Sequence, residues 1–232
     1  MTRAEIIQPT EHAKLRIVRG HGASFGETAH FVPVVAEELR ALVLEYPVFI
    51  MKDEDTGQFG LNALLGLAPG ENLYLRDDGW NASYLPIHIQ RQPFLVANTH
   101  EGEGKIALDM ASSRVSQTEG EPLFDENGNA TGYLESMRAL LSRLMLGIRA
   151  TQAFLDKLVE LDLIEAKQLT ISLPGGEQKR FAGFYSINEQ RLQALAPDQL
   201  QAFYASGYLQ ASYLLLASAG NVQKLVAAKV AR

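Results

Sequence analysis

Residues 48–65 read Val-Phe-Ile-Met-Lys-Asp-Glu-Asp-Thr-Gly-Gln-Phe-Gly-Leu-Asn-Ala-Leu-Leu, and the predicted fold depends on this stretch. Two apolar runs, 48–52 and 59–65, flank a turn-forming segment, which is typical of two strands joined by a tight connection. Because short connections suit antiparallel strands, whereas parallel strands need long crossovers, we predict an antiparallel meander. Further strand-like runs lie at residues 72–75, 93–98 and 105–110, the last two flanking a glycine-containing loop at 100–104.

The rest of the chain is predicted to be mainly helical. Before the strands, Pro33 suits the first turn of a helix that runs to about Tyr46. After them, apolar residues recur at steps of three and four, which predicts one long helix from about 132 to 161. A hairpin at 169–187 and helices opening at Asn188 and Pro197 complete the pattern. The residues of the long stripe are Leu134, Met137, Leu141, Leu144, Ile148, Thr151, Leu155 and Leu158.

Together these patterns predict an α+β fold, with an antiparallel meander sheet covered by helices and a helical C-terminal part. We predict a single domain over residues 1–232, with a strand-rich part at 1–125 and a mainly helical part at 126–232 as the alternative division. The stripe of the long helix is either a coiled-coil seam that makes a homodimer or a face packed on the chain's own sheet. Further apolar residues beside the seam widen the face, which favours the second interpretation.

Composition limits the function classes. The 232 residues carry a formal net charge of −6 and scattered basic residues, so no nucleic-acid partner is expected. The absence of cysteine excludes disulfides, thiolate metal sites and cysteine nucleophiles. No apolar run approaches the length of a transmembrane helix, and the N-terminus lacks a signal-peptide pattern. We therefore expect a soluble cytoplasmic protein without a cofactor.

Two short motifs resemble catalytic or phosphate-binding loops. Residues 22–26 match G-x-S-x-G around Ser24, and Gly20, Gly22 and Gly26 resemble a phosphate cradle. Both motifs need a helix that starts directly after the loop. The predicted helix at Pro33 starts too late, so we interpret the segment as a loop and predict that Ser24 is not a nucleophile.

Metal binding is not expected from the sequence. Residues 125–136 place oxygen atoms at alternate positions, as a calcium loop does, but Ala130 and Ser136 stand where glycine and a bidentate glutamate are needed. None of the histidines shows a metal-ligand spacing, and only convergence in the fold would join His21, Glu27 and His30. The histidines are His12, His21, His30, His88 and His100.

A ligand site is predicted around the single tryptophan. The stretch from Trp80 to Phe94 combines aromatic rings, prolines, a histidine and an arginine, a mixture that can line a pocket. The same mixture is also typical of a buried aromatic plug with proline-fixed turns, which is the commoner case. The candidate ligand-binding residues are Trp80, Tyr84, His88 and Arg91.

Several short segments, in a fixed order along the chain, match the pattern of one bacterial family. They are Val32-Pro-Val34, Glu37-Glu38, Tyr46-Pro-Val-Phe49, Leu64-Leu-Gly-Leu67, Gly70-Glu-Asn-Leu-Tyr74, Trp80-x-x-x-Tyr84-x-Pro86, Arg91-x-Pro93-Phe94, Glu119-Gly-Glu-Pro-Leu-Phe124 and the hairpin through Gly183. On these segments the chain resembles the SapC family of bacterial surface-array-associated proteins over most of its length. It differs where Gln92 replaces the aromatic residue expected before Pro-Phe. The same name is used for a peptide-transporter permease, which the lack of an apolar span excludes.

The resemblance implies a link to bacterial cell-surface or outer-membrane uptake systems and carries over no catalytic residues. With no complete catalytic motif, our leading hypothesis is an accessory protein that binds a protein or a small ligand. The alternative is an enzyme whose site is assembled from dispersed residues around Trp80–Arg91 and the histidines, so whether the chain is an enzyme stays open.

Overall fold

The computed structural model describes residues 2–77, 79–98, 104–172 and 178–231. It has the predicted α+β class, with antiparallel sheets and a helical C-terminal part. The strands are β1 (Ala4–Ile6), β2 (Arg16–Ile17), β3 (Phe31–Val34), β4 (Val48–Lys52), β5 (Phe59–Leu64), β6 (Leu75–Arg76), β7 (Gly79–Trp80), β8 (Phe94–Asn98), β9 (Gly104–Asp109), β10 (Val115–Ser116), β11 (Glu121–Pro122), β12 (Ile164–Ser172) and β13 (Gln178–Ile187). The helices are α1 (Pro9–His12), α2 (Leu39–Leu42), α3 (Ile87–Gln90), α4 (Gly132–Glu160), α5 (Glu189–Gln193), α6 (Pro197–Ala205), α7 (Tyr208–Ser218) and α8 (Val222–Val230).

The chain folds into two compact units, each assembled from segments that are distant in sequence. Unit 1 contains Met1–Thr28, Leu75–Asn81 and Ile87–Leu146, and unit 2 contains Ala29–Tyr74, Ala82–Pro86 and Gly147–Arg232. The single domain predicted for 1–232, and its alternative division after residue 125, stay predictions.

Unit 1 is built from small antiparallel sheets. In the described residues β9 lies between β1 and β8, β2 lies between β10 and β11, and β6 pairs with β7. Apolar side chains of these strands, of the residues directly beside β2 and β11, and of the first turns of α4 form one buried cluster. Its members are Leu15, Ile17, Phe94, Leu108, Leu123, Phe124, Leu134 and Leu141.

Unit 2 is built on one larger antiparallel sheet with the order β12-β13-β4-β5-β3. Helix α7 packs against α2, α6 and strands β4 and β13. Its Ser218 side chain accepts a hydrogen bond from the backbone N–H of Val48 over 3.1 Å, which ties the helix to the sheet. Asn188 caps α5, as predicted, because its side chain accepts from the Arg191 N–H.

The predicted strands exist, but they do not form one meander. β4 and β5 pair as expected, and β8 and β9 pair as expected, yet each pair belongs to a different sheet. The run 72–75 is a strand only from Leu75. Residues 100–103 of one predicted loop and 174–176 of the second hairpin lie outside the described residues.

The prediction of a helix from Pro33 to Tyr46 was wrong for the residues before Ala36. Pro33 lies in β3, opposite Asn62, and only the 3-10 turn Ala36–Glu38 and α2 are helical. A proline lacks the N–H that an inner strand must donate. Strand β3 is at the edge of its sheet, so Pro33 leaves no neighbouring strand without a donor.

Helix α4 has nearly the predicted bounds, and most of its stripe is buried. Met137 is half-buried and Ile148 is 42% exposed, so the interpretation of the stripe as a face packed within the chain was wrong at Ile148. Thr151 is buried and accepts the N–H of Ala36 over 2.8 Å. Phe154 contacts Tyr208 of α7, with ring centroids 5.4 Å apart. In the described chain, no helix combines the length and hydrophobicity needed to cross a bilayer.

Candidate functional site

The four predicted ligand-binding residues are all half-buried, and they are divided between the two units. Trp80, His88 and Arg91 belong to unit 1, whereas Tyr84 belongs to unit 2. Of these four, His88 and Arg91 are in hydrogen-bonding contact with each other, at 3.4 Å.

His88 and Arg91 join α3 to the start of β8. Arg91 donates through Nε to Nδ1 of His88, and through Nη1 to the carbonyl of Phe94 over 2.7 Å. Burial, followed by the charge of Arg91, lowers the pKa of His88 to about 4. Burial also lowers the pKa of Arg91. His88 is therefore a neutral acceptor at neutral pH, and these contacts are those of a structural anchor.

Tyr84 anchors residues 82–86 within unit 2. Its hydroxyl donates to Glu38 Oε1 over 2.9 Å, and Glu38 Oε2 accepts the N–H of Val35 over 2.9 Å. The Tyr84 carbonyl in turn accepts the hydroxyl of Tyr46 over 2.6 Å. Because Glu38 is buried, these bonds compensate the loss of its hydration.

Trp80 contacts His21, one of the histidines that the enzyme alternative grouped with Trp80–Arg91. The rings of Trp80 and His21 meet edge to face, with centroids 5.8 Å apart. Nδ1 of His21 lies 3.1 Å from Oε1 of Glu27, and the same oxygen accepts from Nη2 of Arg114 over 2.6 Å. We call His21, Glu27, Trp80 and Arg114 the His21 cluster.

The buried centre of the His21 cluster is an ion pair. Glu27 is 2% exposed, and its second oxygen accepts the N–H of Gly22 over 2.9 Å. Arg114 is also buried; it donates to the carbonyl of Val18 over 3.2 Å and lies 4.0 Å over the ring of Phe25. Arg114 Nε has no hydrogen-bond partner within the part of the chain that the structure describes. Opposite charges, hydrogen bonds and a ring face together make this burial tolerable.

Local backbone geometry brings Glu27 to this position. Residues 23–25 form a 3-10 turn that closes on Gly26, whose φ of 77° lies in the left-handed region that glycine adopts without strain. The chain then reverses, so Gly22 and Glu27 meet. The glycines of this loop therefore position Glu27, which follows Gly26, rather than Ser24.

The His21 cluster has a defined chemical capacity. Glu27 holds His21 by Nδ1, which orients the imidazole and leaves Nε2 as its other polar atom. The side chain of His21 is 26% exposed, and Trp80 beside it is half-buried. The cluster can therefore offer a ligand an indole surface and one imidazole nitrogen, which the buried Glu27–Arg114 ion pair holds in place.

The sequence analysis expected no metal site and left only convergence in the fold to join His21, Glu27 and His30; the structure shows a contact between His21 and Glu27. His30 belongs to unit 2, where its ring meets that of Phe31. His12 is buried and accepts the N–H of Gln8 over 3.0 Å, and His100 lies outside the described residues. No group of metal-ligating side chains was found among the residues with described positions. Arg114 was missed, because an isolated arginine between Ser113 and Val115 carries no local signal.

The other motifs have structural explanations. The next regular element after Gly26 is strand β3, so the helix that a nucleophile elbow needs does not follow Ser24. In the 125–130 segment the Asp125 carboxylate accepts the N–H groups of Asn127 and Asn129, which closes a turn. The Asn129 side chain and these backbone N–H groups lower the pKa of Asp125.

The SapC family model matches residues 7–225. The chain belongs to the SapC family. This match includes the His21 cluster and the whole of Trp80–Arg91, and it confirms the resemblance seen in the sequence. Comparisons with curated proteins and with solved structures found no match.

Proposed function

We propose that this SapC-family protein is a non-catalytic accessory protein that binds a ligand or a protein partner at the His21 cluster. We place its action in the bacterial cytoplasm, in the service of cell-surface or outer-membrane uptake systems. The family resemblance motivates the cellular context, and the contact between His21 and Trp80 carries the molecular proposal.

The contact supports binding because it joins two complementary surfaces. An indole face contributes dispersion and stacking, and an imidazole edge contributes a directional hydrogen bond. Trp80 adjoins His21, whose Nδ1 is held by Glu27 and whose Nε2 takes part in no hydrogen bond among the described residues. His88, Arg91 and Tyr84 are engaged within the fold, so we revise the proposed site to Trp80 and His21.

The buried part of the cluster supports the same proposal. Glu27 accepts from Arg114, from the backbone of Gly22 and from His21, so the imidazole is held in one orientation before a ligand arrives. A side chain that is already ordered loses less entropy on binding.

Partner capture from a bacterial host tests this proposal. Wild-type protein and His21→Ala would be used as baits, with His30→Ala as the matched histidine control in unit 2. We expect a protein or small molecule that wild type and His30→Ala retain and His21→Ala loses. Trp80 is the only tryptophan, so addition of the purified partner should change the protein's tryptophan emission. A partner retained equally by all three baits, or none retained by any, would contradict the proposal.

An enzyme is the second candidate, and one observation favours it. A carboxylate that holds Nδ1 of a histidine is the arrangement that orients an imidazole for general acid–base catalysis. Incubation of a host metabolite extract with wild type and with His21→Ala separates the two candidates. Conversion of a metabolite that depends on His21 would support an enzyme, whereas retention without conversion would support the binding protein.

A further inference from the structure

A surface groove of unit 2 has the properties of a second binding site. It lies between the start of β5 and the last turns of α4, and its cavity volume is about 490 Å³. Residues on both sides contribute side chains to it: Gln58, Phe59, Leu155, Asp156, Val159 and Glu160.

The apolar lining of this groove is only partly used by the fold. Phe59 packs edge to face on Tyr185 of β13, at 5.1 Å between centroids, and Leu155 is buried. Val159, one turn further along α4, is 51% exposed. The fold therefore leaves apolar surface open beside a ring that is already held in place.

The charged lining of the groove is acidic. Asp156 and Glu160 belong to it, and none of its lining residues is basic. Among the described side chains no Lys, Arg or His forms an ion pair with Asp156, which accepts only from Gln152 Nε2 over 2.8 Å. Glu160 pairs with Lys157 over 2.7 Å.

The ring of Phe59 is already placed against a cation. The ammonium of Lys52 lies 5.8 Å from its centroid, within the range of a cation–π contact. This lysine would repel a basic ligand, while Asp156 would attract one. Substitution of Lys52 and of Asp156 in turn can therefore measure how much each charge contributes to the affinity for a ligand.

We propose that the groove binds a peptide segment in which Leu, Ile or Phe is next to Lys or Arg. The apolar side chain covers Val159 and Phe59, and the basic group pairs with Asp156. An acidic segment would meet Asp156 and Glu160 with the wrong charge, and a purely apolar segment would remove water from the Asp156 carboxylate without supplying a cation, leaving it only the hydrogen bond from Gln152.

A peptide titration tests this inference. The probe is a pool of six capped tetrapeptides that combine Leu, Ile or Phe with an adjacent Lys or Arg between glycines. A matched pool carries norleucine or citrulline in place of the basic residue. We expect the basic pool to shift the backbone amide NMR signals of Gln58, Phe59 and residues 152–160 more strongly than the neutral pool.

Variants assign the effect to the groove. Asp156→Asn should weaken binding of the basic pool about two- to fivefold, the range for an exposed ion pair. Val159→Arg should abolish localised shifts, and Lys52→Met should strengthen binding. Asp198→Asn, the same charge change on exposed α6, should have no effect.

Absence of localised shifts, equal shifts with the neutral pool, or an unchanged affinity in Asp156→Asn would each overturn the inference. None of these results bears on the His21 cluster, because the groove residues belong to unit 2 and the cluster belongs to unit 1.

Discussion

At the scale of the residue, Glu27 shows how the chain tolerates a buried carboxylate. Its oxygens accept from a guanidinium, a backbone N–H and an imidazole nitrogen. These contacts replace the water that burial removes. The same contacts orient His21, so local stability and the proposed binding function depend on one group.

Replacement of Arg114, the cation beside Glu27, is expected to lower the free energy of unfolding. Arg114→Met leaves the carboxylate buried without its charge partner, and we expect a loss of about 3–5 kcal/mol in the free energy of unfolding. Urea denaturation measures this loss. The control is Arg138→Met, since the pair between Arg138 and Glu135 is half-exposed on both sides and should change stability by less than about 1 kcal/mol. Equal losses in the two variants would show that burial of the Glu27 pair is unimportant.

The pKa of His88 predicts a pH dependence of stability. Burial and Arg91 lower this pKa from 6.5 to about 4 in the folded protein. Between these values the unfolded chain binds a proton that the folded protein does not, so stability falls as pH falls from 6.5 to about 4. His88→Gln should flatten this part of the curve, measured by urea denaturation at several pH values. An imidazole NMR titration of His88 with a midpoint near 6.5 would contradict the prediction.

At the scale of the element, α4 shows how one stripe divides between core and surface. Leu134, Leu141 and Leu144 are buried residues that belong to unit 1, and Leu155 and Leu158 are buried residues that belong to unit 2. Gly147 lies between these groups, and a Cβ there would come within 2.9 Å of Val35 Cγ2. A small residue at this position therefore allows close packing in unit 2.

Two leucines of α4 make a matched test of this division. Leu144 is 3% exposed and Leu146 is 66% exposed. Leu144→Ala should cost about 2–5 kcal/mol of unfolding free energy, because it removes buried methyl groups and leaves a cavity. Leu146→Ala should cost less than about 0.5 kcal/mol. Similar melting temperatures for the two variants would show that the Leu144 face is not part of the core.

At the scale of the whole molecule, the burial of the α4 stripe bears on oligomeric state. A coiled-coil dimer needs its seam residues to be free for a partner helix. Leu141, Leu144, Leu155 and Leu158 are covered by the chain itself. These four leucines are therefore not available as the coiled-coil seam that the sequence analysis considered for a homodimer.

We expect the protein to sediment as a monomer of 25.5 kDa in analytical ultracentrifugation at micromolar concentration. A doubled mass would show that another surface dimerises. In that case Leu146→Glu tests the outer face of α4, where Leu146 and Ile148 are exposed. Return to the monomer mass would identify that face as the interface.

The sequence by itself determined most of the elements and the family. The hairpin of β4 and β5, the bounds of α4 and the cap at Asn188 follow from periodicity, turn residues and capping, which act over a few residues. The SapC resemblance rests likewise on short ordered segments. In the candidate site, Trp80 was predicted to be important from its surroundings alone.

Only the tertiary structure decided which elements became neighbours. Arg114 meets Glu27 across 87 residues, and β13 joins β4 through Phe184 and Met51. Pro33 lies in strand β3, where a proline is tolerated because β3 is at the edge of its sheet. Such pairings depend on packing and charge compensation summed over the folded chain. A short sequence pattern contains no information on packing and charge compensation between distant segments. The partners of Glu27 and His21 are therefore evident only in the folded structure.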